Sequence, residues 1–293
     1  MSSQGDFFHA GTEKKLKAIA GYLAAYQKVL TKFRATGGKT IYFDAFAGTG
    51  DLPKNIDDGG LLKDVEELSD IAEGSARRAL AIEPSFSEFV FVEASKGKAD
   101  ELKRIKIEFP TRANSIRVIH GDANAEVLRF CNETDWSKNR AVVFLDPFGN
   151  QVKWSTIARI AKCNIDLWYL FPAHLGINRQ ISNSCVVEDA KAASLDSVFG
   201  TSTWRDEFLK RDSVNLLDGT EREVYRKQAN ADIVTRFMIR RMKEVFQGGV
   251  LDAWLPLGKN RAHWYSLIFA WGNKSPRAGE IASSIAKHLM QRK

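Results

Sequence analysis

Four apolar segments of this chain run into an acidic residue at their carboxyl ends, and stretches of helical periodicity separate them. Ile41-Tyr42-Phe43 meets Asp44, and Phe89-Val90-Phe91-Val92 meets Glu93. Ile116 to His120 reaches Gly121-Asp122, and Ala141-Val142-Val143-Phe144-Leu145 meets Asp146. A fifth segment, Ile165 to Phe171, ends at Pro172. Short apolar runs without polar alternation suit strands covered on both faces. Their alternation with helices calls for crossover connections, and so for an α/β fold with a mostly parallel, doubly wound sheet. Such sheets bind ligands outside the carboxyl ends of their strands, so Asp44, Glu93, Asp122 and Asp146 are expected to converge on one crevice. One strand-end aspartate is ordinarily a helix cap or a turn former. Four on successive strands are not accounted for that way.

The first of these segments continues as Asp44-Ala45-Phe46-Ala47-Gly48-Thr49-Gly50. Gly48 and Gly50 allow positive φ and leave no side chain between backbone amides and a ligand. A glycine pair also occurs where only the geometry of a strand-to-helix turn requires it, so its meaning depends on the acids that follow.

Ahead of that strand, residues 13–34 place Leu16, Ile19, Leu23, Tyr26, Leu30 and Phe33 at steps of three and four, which predicts an amphipathic helix. Residues 51–73 are rich in acids and carry Pro53 and Gly59-Gly60, the pattern of an inserted surface loop. Gly74-Ser75 before an alanine-rich run reads as a helix N-cap. Residues 177–247 leave the repeat and read as a helical insertion or cap. The sheet is expected to resume at Val250–Leu255 and at Trp264–Ala270. Two strands so close cannot both be parallel, since a parallel crossover needs about a dozen residues. An antiparallel hairpin at one edge is therefore expected, with a closing helix over 278–290. The whole of 1–293 reads as one domain with a seven-stranded, mostly parallel sheet whose last strand is antiparallel. That is the Rossmann-like arrangement of methyltransferases that use S-adenosylmethionine.

At 44% hydrophobic and 27% charged residues, the chain can bury a large core. Its formal charge of +7 is concentrated at the two ends, while residues 51–94 hold eleven acids against four bases. This suits a phosphate-bearing partner, and equally a well-solvated surface with a modest positive excess. Cys131, Cys163 and Cys185 show no CxxC spacing and read as reduced, mostly buried thiols, with no metal site expected. No apolar stretch approaches a membrane span and no signal pattern opens the chain, so a cytoplasmic protein is expected.

Within the crevice, Glu93 is placed to accept hydrogen bonds from both ribose hydroxyls of a nucleoside, and Asp122 to hold an adenine amino group. Asp44, Phe46 and the amides around Gly48 to Gly50 would face the amino acid end of S-adenosylmethionine, and Ser75 belongs to the same cofactor-binding set. The turn lacks the third glycine of a dinucleotide motif, which disfavours an NAD-dependent oxidoreductase. In Asp146-Pro147-Phe148-Gly149, Asp146 would orient an acceptor amine and Phe148 would stack on a base, with Pro147 stiffening the turn. The alternative is a packed turn in which Pro147 and Phe148 are core. His174 and Arg179, after the fifth strand, read as structural or solvated as readily as functional.

Together, the segments Tyr42 to Gly50, Gly74 to Leu80, Phe91 to Glu93, Phe144 to Gly149 and Asp166 to Pro172 resemble the three-Cys-motif partner family (TcmP). The resemblance spans residues 41–179. It implies a methyltransferase-like fold and association with a partner protein that carries three cysteines; this chain's own three cysteines are unrelated to that name. The fourth-strand motif also resembles the Asp-Pro-Pro-Tyr motif of amino-methyltransferases acting on adenine or cytosine, with Phe148 at the second proline and Gly149 at the aromatic position. The expected function is S-adenosylmethionine-dependent methylation of nucleic acid at a base amino group, of the N6-adenine kind. The alternative is a cofactor-binding, non-catalytic or auxiliary subunit serving the three-Cys partner in a modification or defence system.

Overall fold

A computed structural model describes residues 4–48, 75–181, 187–215, 221–258 and 263–291. Gly50, Cys185 and the expected acidic loop at 51–73 lie outside the described residues. Helices α1 (Gln4–Val29) and α2 (Thr31–Ala35) precede strand β1 (Lys39–Asp44), and a short helix α3 covers residues 75–80. Then follow β2 (Glu88–Glu93), α4 (Lys96–Leu102), α5 (Ile105–Glu108), β3 (Ile116–His120), α6 (Ala123–Glu133), β4 (Asn139–Leu145), α7 (Trp154–Ile160) and β5 (Ile165–Phe171). The second half holds α8 (Asp189–Phe199), α9 (Trp204–Phe208), β6 (Leu209–Asn215), β7 (Glu221–Lys227), α10 (Ala231–Val245), β8 (Gly249–Val250), β9 (Leu255–Leu257), β10 (Tyr265–Trp271) and α11 (Pro276–Gln291).

The main sheet runs β3-β2-β1-β4-β5-β10-β8, with β9 also paired to β10. Strands β1 to β5 are mutually parallel, and β10 is antiparallel to β5, with Phe171 opposite Ser266 and Asp166 opposite Trp271. The expected parallel sheet with a reversed last strand is therefore present. One detail differs: the strand expected at Val250–Leu255 is two short pieces, β8 and β9, both antiparallel to β10. Gly249 (φ +147°) and Pro256 punctuate this stretch, and neither favours an unbroken strand. Residues 177–247 also differ from a purely helical insertion, because β6 and β7 form a separate antiparallel pair.

Period-two alternation divides each central strand between two cores. Ile41 and Phe43 of β1 join Val90, Val92, Val143, Leu167 and Ile268 on the side covered by α6, α7, α8 and α10. Tyr42 joins Phe89, Phe91, Phe144, Trp168 and Phe269 on the side covered by α1, α3 and α11. Burying such a side chain contributes about 1.5–3 kcal/mol relative to leaving it exposed, which is why apolar runs with no polar face make central strands. The N-terminal helix docks by Leu16, Ile19, Leu23 and Tyr26, all buried, as its periodicity predicts. Tyr22 adds an edge-on ring contact to Trp168, with centroids 5.3 Å apart.

Candidate functional site

At the carboxyl ends of β1 to β4 lies a cleft of about 520 Å³, within the size range of small-molecule sites. Its walls include Phe46 and Gly48 after β1, Glu93 at the end of β2 and Ser95 beyond it, Gly121 and Asp122 after β3, and Asp146, Pro147 and Phe148 after β4. Three of the four strand-end acids thus share one crevice.

Asp44, the fourth, does not line it. Its side chain is fully buried and turns onto the backbone that follows. Oδ1 accepts the Phe46 amide at 3.1 Å, while Oδ2 accepts the Ser75 hydroxyl at 3.0 Å and the Tyr42 phenol at 3.4 Å. Burial pushes the Asp44 carboxyl up to about 7; the Phe46 amide, the Ser75 hydroxyl and the Lys15 charge oppose this, and the Asp146 charge adds to it. Asp44 and Ser75 act together as a clip that joins the start of α3 to the glycine turn. Neither borders the cleft, in contrast to the direct ligand contact expected of both.

Gly48 lies against Glu93 so closely that a β-carbon added to it would stand 1.8 Å from Glu93 Oε2. Glu93 Oε1 accepts the Ser95 amide at 2.7 Å, which fixes the carboxylate at the cleft wall. The missing β-carbon of Gly48 makes the space that this carboxylate occupies. Asp122 is the N-cap of α6, its Oδ1 accepting the Ala125 amide at 2.9 Å. It combines the two roles weighed from sequence: a helix cap that also lines the crevice.

The β4 turn is held from two sides. Gln151 Oε1 accepts the Phe148 amide at 2.8 Å, and Gly149 turns the chain at φ +67°. Asn124, at the start of α6, donates to the Gln151 carbonyl at 2.8 Å. Its Oδ1 accepts the Lys153 amide at 2.9 Å and the Thr156 hydroxyl at 2.8 Å. Asn124 thereby locks the β3 turn to the β4 turn. Pro147 is buried and Phe148 half-buried against the cleft, so the turn is packed and its aromatic ring still borders the crevice.

Lys15 of α1 is only 4% exposed and donates to Asp146 Oδ2 at 2.5 Å. With Asn124, Gln151, Lys153 and Tyr265, it belongs to the cleft wall without having been singled out from sequence, whereas Leu170 opens the stretch after the fifth strand that the sequence offered as the substrate side of the crevice. Leu170 and Tyr265 stand at the end of β5 and the start of β10, positions that the strand assignment already brings to the crevice. No local pattern marks Lys15, whose neighbours Lys14 and Lys17 have the same character. His174 lies outside the cleft wall with its ring on Asn178 at 2.9 Å, and Arg179 is exposed.

Among the described residues no group of three or more His, Cys, Asp or Glu side chains is arranged to hold a metal ion. No described helix is long and apolar enough to cross a membrane. Cys131 and Cys163 are buried free thiols.

No family model matches the sequence, and no curated protein matches it. Two solved structures similar to the chain are protein LPL1258 from Legionella pneumophila, of family-model DUF519, and a putative methyltransferase, YhhF, from Escherichia coli. The first is 11% identical with a TM-score of 0.42, covering 94% of this chain and 92% of that one. The second is 13% identical with a TM-score of 0.24, covering 70% and 85%.

Proposed function

We propose that the chain binds S-adenosylmethionine in the β1 to β4 cleft and transfers its methyl group to a nucleic acid, at a base amino group of the N6-adenine kind. The observation that carries this reading is the convergence of Glu93, Asp122 and Asp146 on one cleft floored by Gly48, beneath a parallel sheet closed by the reversed β10. The residues present fit the cofactor. Glu93 would hold the ribose hydroxyls, the Gly121 to Ala123 edge with Asp122 the adenine, and the backbone at Phe46 to Gly48 the methionine portion.

When bound, the cofactor supplies an electrophilic methyl on a sulfonium. The chain's own residues supply position. Asp146 Oδ1 takes no hydrogen bond from the described residues and is available to an acceptor N–H. Phe148, on the same wall, offers a ring face for a base. At such a methyl the acceptor nitrogen's lone pair would suffice as nucleophile, the neutral thioether would be the leaving group and the nitrogen's proton would pass to solvent after transfer, so no strong base is required and alignment does most of the work. Lys153, exposed at the rim, suits a nucleic acid phosphate.

A second reading is favoured by one specific contact. The Lys15 ammonium occupies Asp146 Oδ2, and Phe148-Gly149 replaces the Pro-Tyr of the amino-methyltransferase motif, so the chain would keep the cofactor cleft as an auxiliary subunit of a three-Cys-motif protein.

Titration calorimetry with S-adenosylmethionine, S-adenosylhomocysteine and NAD tests the cofactor. Binding of the first two and not the third is the expected result, and silence from both sinks the proposal. Transfer of label from tritiated cofactor to RNA, DNA or protein then separates the two readings and identifies the substrate class.

A further inference from the structure

The contact between Lys15 and Asp146 spans 131 residues of sequence and brings the N-terminal helix into the acceptor corner. A lysine this deeply buried is rare unless it is paired. The Lys15 side chain is 5% exposed and that of Asp146 19%. The Lys15 ammonium also stands 5.7 Å from the centre of the ring of Phe144, the penultimate residue of β4. The burial of Leu16 and Ile19 leaves α1 little freedom to slide, so the ammonium is fixed by the fold rather than by the ion pair alone. Asp44 also lies near this corner, and its carboxyl feels both Lys15 and Asp146. Lys15 therefore interacts with two acids, and it hydrogen-bonds the one that borders the cleft.

Among the described residues, one carboxylate oxygen of Asp146 is taken and the other is not. A carboxylate free to rotate about its last torsion would present either oxygen, or neither, to a ligand. Bound through Oδ2, it has one orientation, and Oδ1 is the oxygen left for an acceptor. We propose that Lys15 is a positioning residue for methyl transfer: its ammonium anchors Asp146 by Oδ2 so that Oδ1 receives the acceptor amine. This rests on the methyl-transfer reading above and assigns α1 a part in the acceptor site.

The test uses the full chain with Lys15→Met, Lys15→Arg and Asp146→Asn, singly and as Lys15→Met with Asp146→Asn. Three measurements are made on each: calorimetry with S-adenosylhomocysteine, thermal unfolding without ligand, and steady-state methyl transfer to the nucleic acid class found above. Lys15→Met should bind S-adenosylhomocysteine within about threefold of the unsubstituted chain, and lose about a hundredfold in kcat with little change in KM, the cost of a misplaced reacting pair. Lys15→Arg should recover most of that loss. In unfolding, each single variant should lower Tm, and the double variant should fall less than the sum of the two, since neither leaves the other's charge unpaired. Unaltered kcat in Lys15→Met overturns the proposal, as does additivity of the two Tm shifts. Loss of S-adenosylhomocysteine binding in Lys15→Met also overturns it, because Lys15 would then serve the cofactor. An unsubstituted chain that binds no S-adenosylhomocysteine, or transfers nothing, sinks the methyl-transfer reading itself. A retained Tm coupling would in that case reduce the pair to a structural one.

Discussion

Gly48 and Glu93 are so close that the glycine's missing side chain is the space the carboxylate occupies, with only 1.8 Å between a notional β-carbon and Oε2. The neighbour is a carboxylate already held by the Ser95 amide, so it cannot withdraw without breaking that hydrogen bond. Gly48→Ala is therefore expected to displace Glu93 and to weaken S-adenosylhomocysteine binding by at least tenfold, equivalent to about 1.4 kcal/mol. Global stability should fall less, because Glu93 can swing toward the open cleft. Calorimetry and thermal unfolding on the same sample check both.

Asp44 predicts a pH dependence. Its folded value of about 7 lies above the ordinary 3.8, so the folded chain holds this proton where the unfolded chain has lost it. Stability from this group is full below the unfolded value, falls as pH rises between about 4 and 7, and levels off above that. Asp44→Asn mimics the protonated form and removes this component. Relative to the unsubstituted chain, the variant should gain up to about 4 kcal/mol between pH 4 and pH 8, at about 1.4 kcal/mol per unit. Denaturant unfolding at a series of pH values measures the difference, and a flat difference refutes the buried assignment.

Asn124 predicts a coupling between two turns. Asn124→Ala removes three hydrogen bonds and leaves the Lys153 amide and the Thr156 hydroxyl unpaired in a largely buried setting. A loss of about 2–6 kcal/mol is expected, from about one to three for each of these two unsatisfied groups. Hydrogen exchange should rise at the amides of residues 148–153 more than at β4 itself.

Gly149 predicts a conformational requirement without a steric one. Its φ is +67°, yet nothing lies within 4 Å of where a β-carbon would point. Gly149→Ala should cost about 1 kcal/mol for the left-handed conformation, and Gly149→Asn less, since asparagine tolerates it. Equal losses for the two would show that some other contact fixes this position. Thermal unfolding distinguishes the cases.

How much of this was readable in advance depended on range. Phe89 to Val92 and Ala141 to Leu145 are strands because every residue of each run is apolar, and a parallel central strand is the local structure that buries both faces. The stripe Leu16, Ile19, Leu23 and Tyr26 was readable for the same reason. The split of the sixth strand into β8 and β9 was less so, although Gly249 and Pro256 carry the cause. The β6 and β7 pair does not stand out in the sequence as two strands, because its charged residues, such as Arg211, Asp212 and Arg226, follow no clean period of two.

The site divides along the same line. By itself the sequence determined that the acids at the ends of β1 to β4, Asp44 included, lie at one edge of the sheet, because in a parallel sheet all strand ends of one polarity lie on one side. It could not determine which acids point into the crevice. Asp44 shares their position and is turned inward, because Phe46 and Ser75 offer it hydrogen bonds from below. Nor could it choose Lys15 from among Lys14, Lys15 and Lys17. That choice belongs to the tertiary structure, in which the packing of α1 on the sheet leaves one lysine beside Asp146, and burial makes the pairing obligatory.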